Sequence, residues 1–268
     1  MKRGDRLVAA GAWLLGAIWV APLAFALWAA LHLPVDAIHL RLAAPLTIDN
    51  FVRAWNAAPF ARYFLNTFVV VSMILAAQLV VCALAAYAFA RYRFVGRSVL
   101  FALVMVQLLV MPNMLVVENY ATMARLGLVN QLLAIGLPYF ASAFGIFLLR
   151  QTFLGVPREL DDAATLEGAG ALGVLRHVYL PLARPVLVAY ALVSVSYHWN
   201  DFLWPLIVTN SPRSRVLTVG LQVFSTSDQG VDWALISAAA LMTSAPLLVA
   251  FLLFQRQFVQ SFMRAGIR

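Results

Sequence analysis

Residues 157–185 read PRELDDAATLEGAGALGVLRHVYLPLARP, and this is the longest run in the chain that cannot sit in lipid. It holds four of the eleven acids, Glu159, Asp161, Asp162 and Glu167, together with Arg158, Arg176, His177 and Arg184. Uncharged apolar runs lie on both sides, each long enough to cross a bilayer, which takes roughly 20 residues. The segment is therefore a polar bridge between two membrane spans.

The first half of the bridge has the spacing of a short amphipathic helix. Leu160, Ala163, Ala164 and Leu166 share most of one face, while Glu159, Asp162 and Glu167 lie toward the other. Pro157 suits a helix start, and the helix dipole favours acids in the first turn. Gly168, Ala169 and Gly170 either end the helix or let another backbone come close. A second helix is expected from about Leu172 to Tyr179, stopping before Leu180-Pro181. On composition alone, an ordinary charged interhelical loop competes with a docking element.

Working outward, 63% of the 268 residues are hydrophobic and 11% are charged, against about 25% charged in a soluble domain. The chain reads as all-α, a single polytopic membrane domain over residues 1–268 without a soluble catalytic domain. Six spans are expected, at approximately 7–31, 63–90, 98–117 (interrupted at Pro112), 126–149, 185–208 and 233–255. The first is too long for a signal peptide, whose apolar core is about 7–15 residues, and it lacks a convincing cleavage site. The net charge of +8 does not indicate nucleic acid, because the basic residues cluster at the ends of apolar runs. Thirteen Lys and Arg fall on the side holding both termini, the Arg91–Arg97 turn and the bridge; six fall on the other. The positive-inside rule puts the thirteen, and hence both termini and segment 157–184, in the cytoplasm. Trp28, Trp199, Trp204 and Trp233 are placed as lipid-interface anchors.

Lys2 is the only lysine, and no GxxxxGK[ST] occurs, so the chain has no standard ATP site. Energy from ATP must come through a partner. Four scattered histidines and the lone Cys82, itself inside an apolar run, offer neither metal-ligand spacing nor an intrachain disulfide.

The spacing in the bridge separates its two readings. Asp162-Ala163-Ala164, three residues, Gly168, nine residues, Val178, one residue, Leu180-Pro181 resembles the EAA signature of ABC importer permeases: E-A-A, three residues, G, nine residues, I, one residue, L-P. Asp162 stands for the Glu and Val178 for the Ile. Leu126-Gly127-Leu128-Val129-Asn130, Phe147-Leu148-Leu149-Arg150-Gln151, Trp199-Asn200-Asp201-Phe202-Leu203-Trp204-Pro205-Leu206 and Gln257-Phe258-Val259-Gln260 followed by Gly266 resemble the sugar-type, maltose-like branch. The likeness runs from about Asn50 to the end, and it suits the second, smaller permease of a pair. It implies a type I ABC importer permease in a bacterial or archaeal cytoplasmic (inner) membrane. The implied partners are a second permease subunit, two copies of a cytoplasmic ABC ATPase, an extracytoplasmic solute-binding protein and membrane lipid. No cofactor is implied in this chain, since the ATPase holds the ATP and Mg. In that family the bridge is a coupling helix docked in an ATPase groove, which assigns the coupling role to Glu159, Asp162, Ala163, Ala164, Gly168, Leu180 and Pro181. Asp162 would then pair with a basic group, the alanines keep the helix thin, and Gly168 permits the turn. Sugar, polyol, glycoside and glycerol phosphate importers share these motifs, so the solute stays open.

Asn113, Glu118 and Asn119 at the outer end of the third span, and Asn200 and Asp201 in the fifth, are candidates for the translocation path or the binding-protein contact. Asp201 lies roughly 24 Å along its helix from the membrane entry at Pro185. An interfacial cap beside Trp199 and Trp204 is the alternative for it, and a solvated loop acid the alternative for Glu118. His177 reads as a surface contact and His198 as a packed or interfacial histidine. A secondary transporter of a small polar solute is the alternative function, but no acid sits at the centre of any span to bind a coupling ion. An integral-membrane enzyme would need clustered His, Asp or Glu at one membrane face, and the bridge acids have no histidine partner other than His177.

Overall fold

The computed structural model describes residues 3–41, 44–225 and 232–266. The basic ends at Lys2 and Arg268, and residues 226–231 of the loop before the last span, lie outside them. Every regular element among the described residues is helical, as lipid demands of backbone N–H and C=O groups that have no water to bond. Gly11–Ala30, Phe60–Arg91 and Trp233–Leu253 are each long and apolar enough to cross a membrane. Three bent pairs bring the number to as many as six: Arg97–Leu109 with Pro112–Arg125 at 93°, Leu132–Tyr139 with Ala143–Leu154 at 46°, and Ala171–Leu182 with Arg184–Trp199 at 79°.

The structure keeps the interruption expected at Pro112 and adds breaks within the runs 126–149 and 185–208, which were expected without one. Pro112 has no N–H to donate and holds Met111 extended (φ −68°, ψ 132°), which ends the third helix before it. Glu118 and Asn119 consequently sit on the helix Val116–Arg125 and not in a loop. The fourth run starts at Leu132, beyond a turn at Gly127, and continues to Leu154. The fifth stops at Trp199 and resumes as Leu203–Val208.

The chain divides into two compact units. In the first, Met1–Phe64 with Leu217–Leu248, the Asn50 amide donates to the carbonyls of Ala30 and His32 at 2.9 and 2.7 Å. Arg53 meets Asp232 at 2.9 Å, and Asp232 also caps the last helix by accepting from the Leu235 N–H.

The second unit, Leu65–Val216 with Val249–Arg268, has its core where Cys82, Ala83, Ala86, Tyr87 and Ala90 of the Phe60–Arg91 helix meet Leu149, Phe153, Leu175 and Tyr179. Small residues on that helix let its neighbours approach closely. Large apolar side chains elsewhere, such as Val80, Leu103 and Leu109, stand exposed as a lipid-facing surface requires. Trp199 and Trp204 are buried, and the Trp204 indole donates to the carbonyls of Ala134 and Ile135. These two tryptophans are internal braces, not the interface anchors expected from their sequence position.

Candidate functional site

The bridge forms a nine-residue helix, Arg158–Leu166, directly after Pro157. Its end follows the Schellman pattern. Gly168 takes φ +86°, its N–H bonds Thr165 O at 2.9 Å, and Ala169 N–H bonds Ala164 O at 2.9 Å. No atom lies within 4 Å of where a Gly168 Cβ would be. Of the two roles open to Gly168, then, the turn is the one present within this chain.

The buried face of this helix is not the apolar one. Leu160, Ala163 and Leu166 are exposed, Ala164 is half-buried, and the one buried residue is Asp161. The Asp161 carboxylate forms an ion pair with Arg91, the last residue of the Phe60–Arg91 helix. The Tyr179 hydroxyl lies beside this pair; burial first, and then the neighbouring carboxylate, raise it above its ordinary range and keep it protonated. Glu159 and Asp162 face outward. The second helical piece continues past Leu180-Pro181 to Leu182, because a π turn over Leu175–Tyr179 bonds the Leu180 N–H to Leu175 O five residues back. Leu180 is half-buried and Pro181 exposed. His177 is exposed and bonds the Gly173 carbonyl at 2.9 Å.

The same unit also holds a cavity of about 390 Å³, within the range of roughly 300–1,000 Å³ usual for small-molecule sites. Its polar lining comprises Gln78, Gln107, Asn119, Tyr139, Ser142, Tyr190, Ser194, Tyr197 and His198, with no Asp, Glu, Lys or Arg. Gln78 organises it. The Gln78 Nε2 donates to Tyr139 O at 2.7 Å and meets His198 Nε2 at 3.3 Å, which leaves the His198 proton on Nδ1. The Gln78 Oε1 accepts from the Tyr190 hydroxyl at 2.9 Å and from the Ser194 hydroxyl at 2.6 Å. All four bonding positions of a buried amide are thus filled. At Gly145 a Cβ would sit 2.7 Å from the Tyr190 ring, so a glycine there is what lets Tyr190 reach Gln78.

Of the path candidates, only Asn119 lines this cavity. Asn113 and Glu118 are exposed. The exposed Asn200 donates to Ser196 O at 2.8 Å. Asp201 lies against the Tyr139 hydroxyl and the backbone N–H groups of Phe202 and Trp204, the geometry of a cap at a helix break. Sequence reasoning missed Gln78, Tyr139, Tyr190 and Ser194. An amide midway along an uncharged run of 28 residues was the signal available for Gln78.

Residues 17–264 match the family described as binding-protein-dependent transport system inner membrane component. The chain belongs to this family. Its role is that of a transport permease, not an enzyme, and the secondary-transporter alternative falls. Similar chains include the arabinooligosaccharides transport system permease protein AraQ of Halalkalibacterium halodurans, 33% identical over 224 residues, covering 83% of this chain and 80% of that one. The sn-glycerol-3-phosphate transport system permease protein UgpE of Yersinia pestis bv. Antiqua is 33% identical over 231 residues, covering 81% of this permease and 82% of that one. The fold matches a chain of a bacterial ABC transporter involved in the import of the acidic polysaccharide alginate, with a TM-score of 0.84 at 21% identity over 96% of this chain and 99% of that one.

Proposed function

We propose that this permease is the second, smaller subunit of a heterodimer that imports a neutral sugar or sugar-like solute, driven by two copies of a cytoplasmic ABC ATPase that bind the ATP and Mg. A solute-binding protein delivers the solute from outside. The termini and segment 157–184 face the cytoplasm, and the helix Arg158–Leu166 enters the ATPase groove. The observation that carries the reading is the division of that helix into two faces: Asp161 is fastened inside, while Glu159, Asp162, Ala163 and Leu166 stand exposed together. Asp162 then pairs with a basic group of the ATPase, and Leu180 and Pro181 carry the bridge back to the membrane.

The cavity supports a neutral solute, since its lining offers hydroxyl, amide and aromatic groups but no cation to balance a phosphate or carboxylate. Gln107 and Asn119 are its polar contacts from the third span. Asp201 acts on it through Tyr139, and Asn113, Glu118 and Asn200 are left for the binding-protein side. The test is purification of the assembly carrying Asp162→Lys, which is expected to lose the ATPase subunit while the two permeases stay paired. Full retention of the ATPase would remove the docking reading. Calorimetry on the solute-binding protein tests the solute class, with neutral glycosides expected to bind and their phosphate esters not.

A further inference from the structure

Among the acids of the bridge, Asp161 alone is withdrawn from water. A buried carboxylate is tolerable only beside a cation, and Arg91 supplies it; the two side chains are 9% and 16% exposed. Aromatic rings close the site. Tyr179 stands edge-on to Tyr87 and to Phe153, each at 5.1 Å, and the Arg91 guanidinium lies 5.8 Å from the Tyr179 ring. Little else secures the outward-facing helix. Its remaining packing on the core comes from Ala164, with Ala169 just beyond it, and single methyl groups contribute only weak dispersion. Opposite charges in such a poorly solvated place attract far more strongly.

Arg91 ends the same helix that carries Gln78, roughly 20 Å away at 1.5 Å per residue. We propose that the Arg91–Asp161 pair is a transmission joint, which carries displacement of the Arg158–Leu166 helix into the Phe60–Arg91 helix and so to the wall of the cavity. The two adjacent acids then have separate tasks: Asp162 holds the ATPase, and Asp161 passes its movement on as a positioning residue. This rests on the reading of Arg158–Leu166 as the ATPase-docking helix.

The experiment uses the whole assembly in proteoliposomes. Leu108→Cys reports from the cavity, and the fully buried Cys82 stays in place. The measurement is labelling by a membrane-impermeant maleimide, with and without ATP plus vanadate. With the pair intact, trapping should change the labelling rate by about tenfold, a usual size for coupling between sites. Asp161→Asn should keep the ATPase subunit and its ATP hydrolysis, yet shrink that change to less than about twofold. The exchanged pair, Arg91→Asp with Asp161→Arg, should restore most of it. A protein merely loosened at this point would lose hydrolysis and labelling response together. The proposal is overturned if Asp161→Asn keeps the full response, if it sheds the ATPase, or if the exchanged pair restores nothing. Retention of the ATPase by Asp162→Lys is a different result, and it would remove the docking reading instead.

Discussion

Replacing Gln78 with leucine keeps the side chain's size and removes its four hydrogen bonds. Two donors and two acceptor positions are lost, to Tyr139 O, His198 Nε2, Tyr190 Oη and Ser194 Oγ. Side-chain hydrogen bonds inside membrane proteins average about 0.6 kcal/mol and reach about 1.7, so four average bonds give about 2–3 kcal/mol. The partners do not suffer equally. The two hydroxyls can rotate toward other acceptors, whereas the Tyr139 carbonyl sits at the break after Leu132–Tyr139 and has no neighbouring turn to accept from. An orphaned carbonyl costs about 1–3 kcal/mol. The expected loss is therefore about 3 kcal/mol, a roughly hundredfold shift in the folded-to-unfolded ratio. Denaturation of the purified assembly by a graded increase of sodium dodecyl sulfate measures it. Ser194→Ala, which deletes one bond of the four, should cost less than about 1 kcal/mol. If Gln78→Leu falls within about 0.5 kcal/mol of the native chain, the amide is not what holds the broken helices together.

At Gly145, alanine would drive a Cβ to 2.7 Å from the Tyr190 ring; thermal unfolding should show a loss of about 1–3 kcal/mol from overpacking, and an unchanged midpoint would refute the close approach. Gly168→Ala meets no neighbour but must hold φ +86°, so about 1–2 kcal/mol of local strain is expected. Gly168→Asn, which tolerates that conformation better, should retain more ATPase on purification than Gly168→Ala does. Equal loss from both would mean the ATPase surface, and not the turn, selects glycine. Thr165→Cys tests the orientation: an impermeant reagent should reach it only in opened cells, and labelling in intact ones would invert the topology.

The helical class and the number of apolar runs were legible because a bilayer imposes a length on uncharged sequence that nothing else in the chain imitates. The break at Pro112 was legible too, and the later ones were not. The gap before Ala143 contains neither Pro nor Gly. Its backbone is satisfied from afar: Gln107 Oε1 accepts the Ala143 N–H at 3.0 Å, and Gln78 donates to Tyr139 O. Helical periodicity sees only neighbours three or four residues apart, so it cannot register such partners. The first helix of the bridge was legible in its spacing. Asp161 was given no role of its own there, because its burial depends on Arg91, at the end of a different apolar run. Of the path candidates only Asn119 lines the cavity, and Gln78 was passed over, because candidates were sought toward the outer ends of spans while Gln78 sits midway along one.

The Arg91–Asp161 pair also constrains how this sequence can drift. Loss of either charge alone strands the other in a buried place, so single substitutions at these positions should be purged and joint ones tolerated. Among related permeases, the residue types at 91 and 161 should therefore change together. If Asp162 docks on the ATPase as proposed, its substitutions should follow those of that partner and leave position 91 untouched.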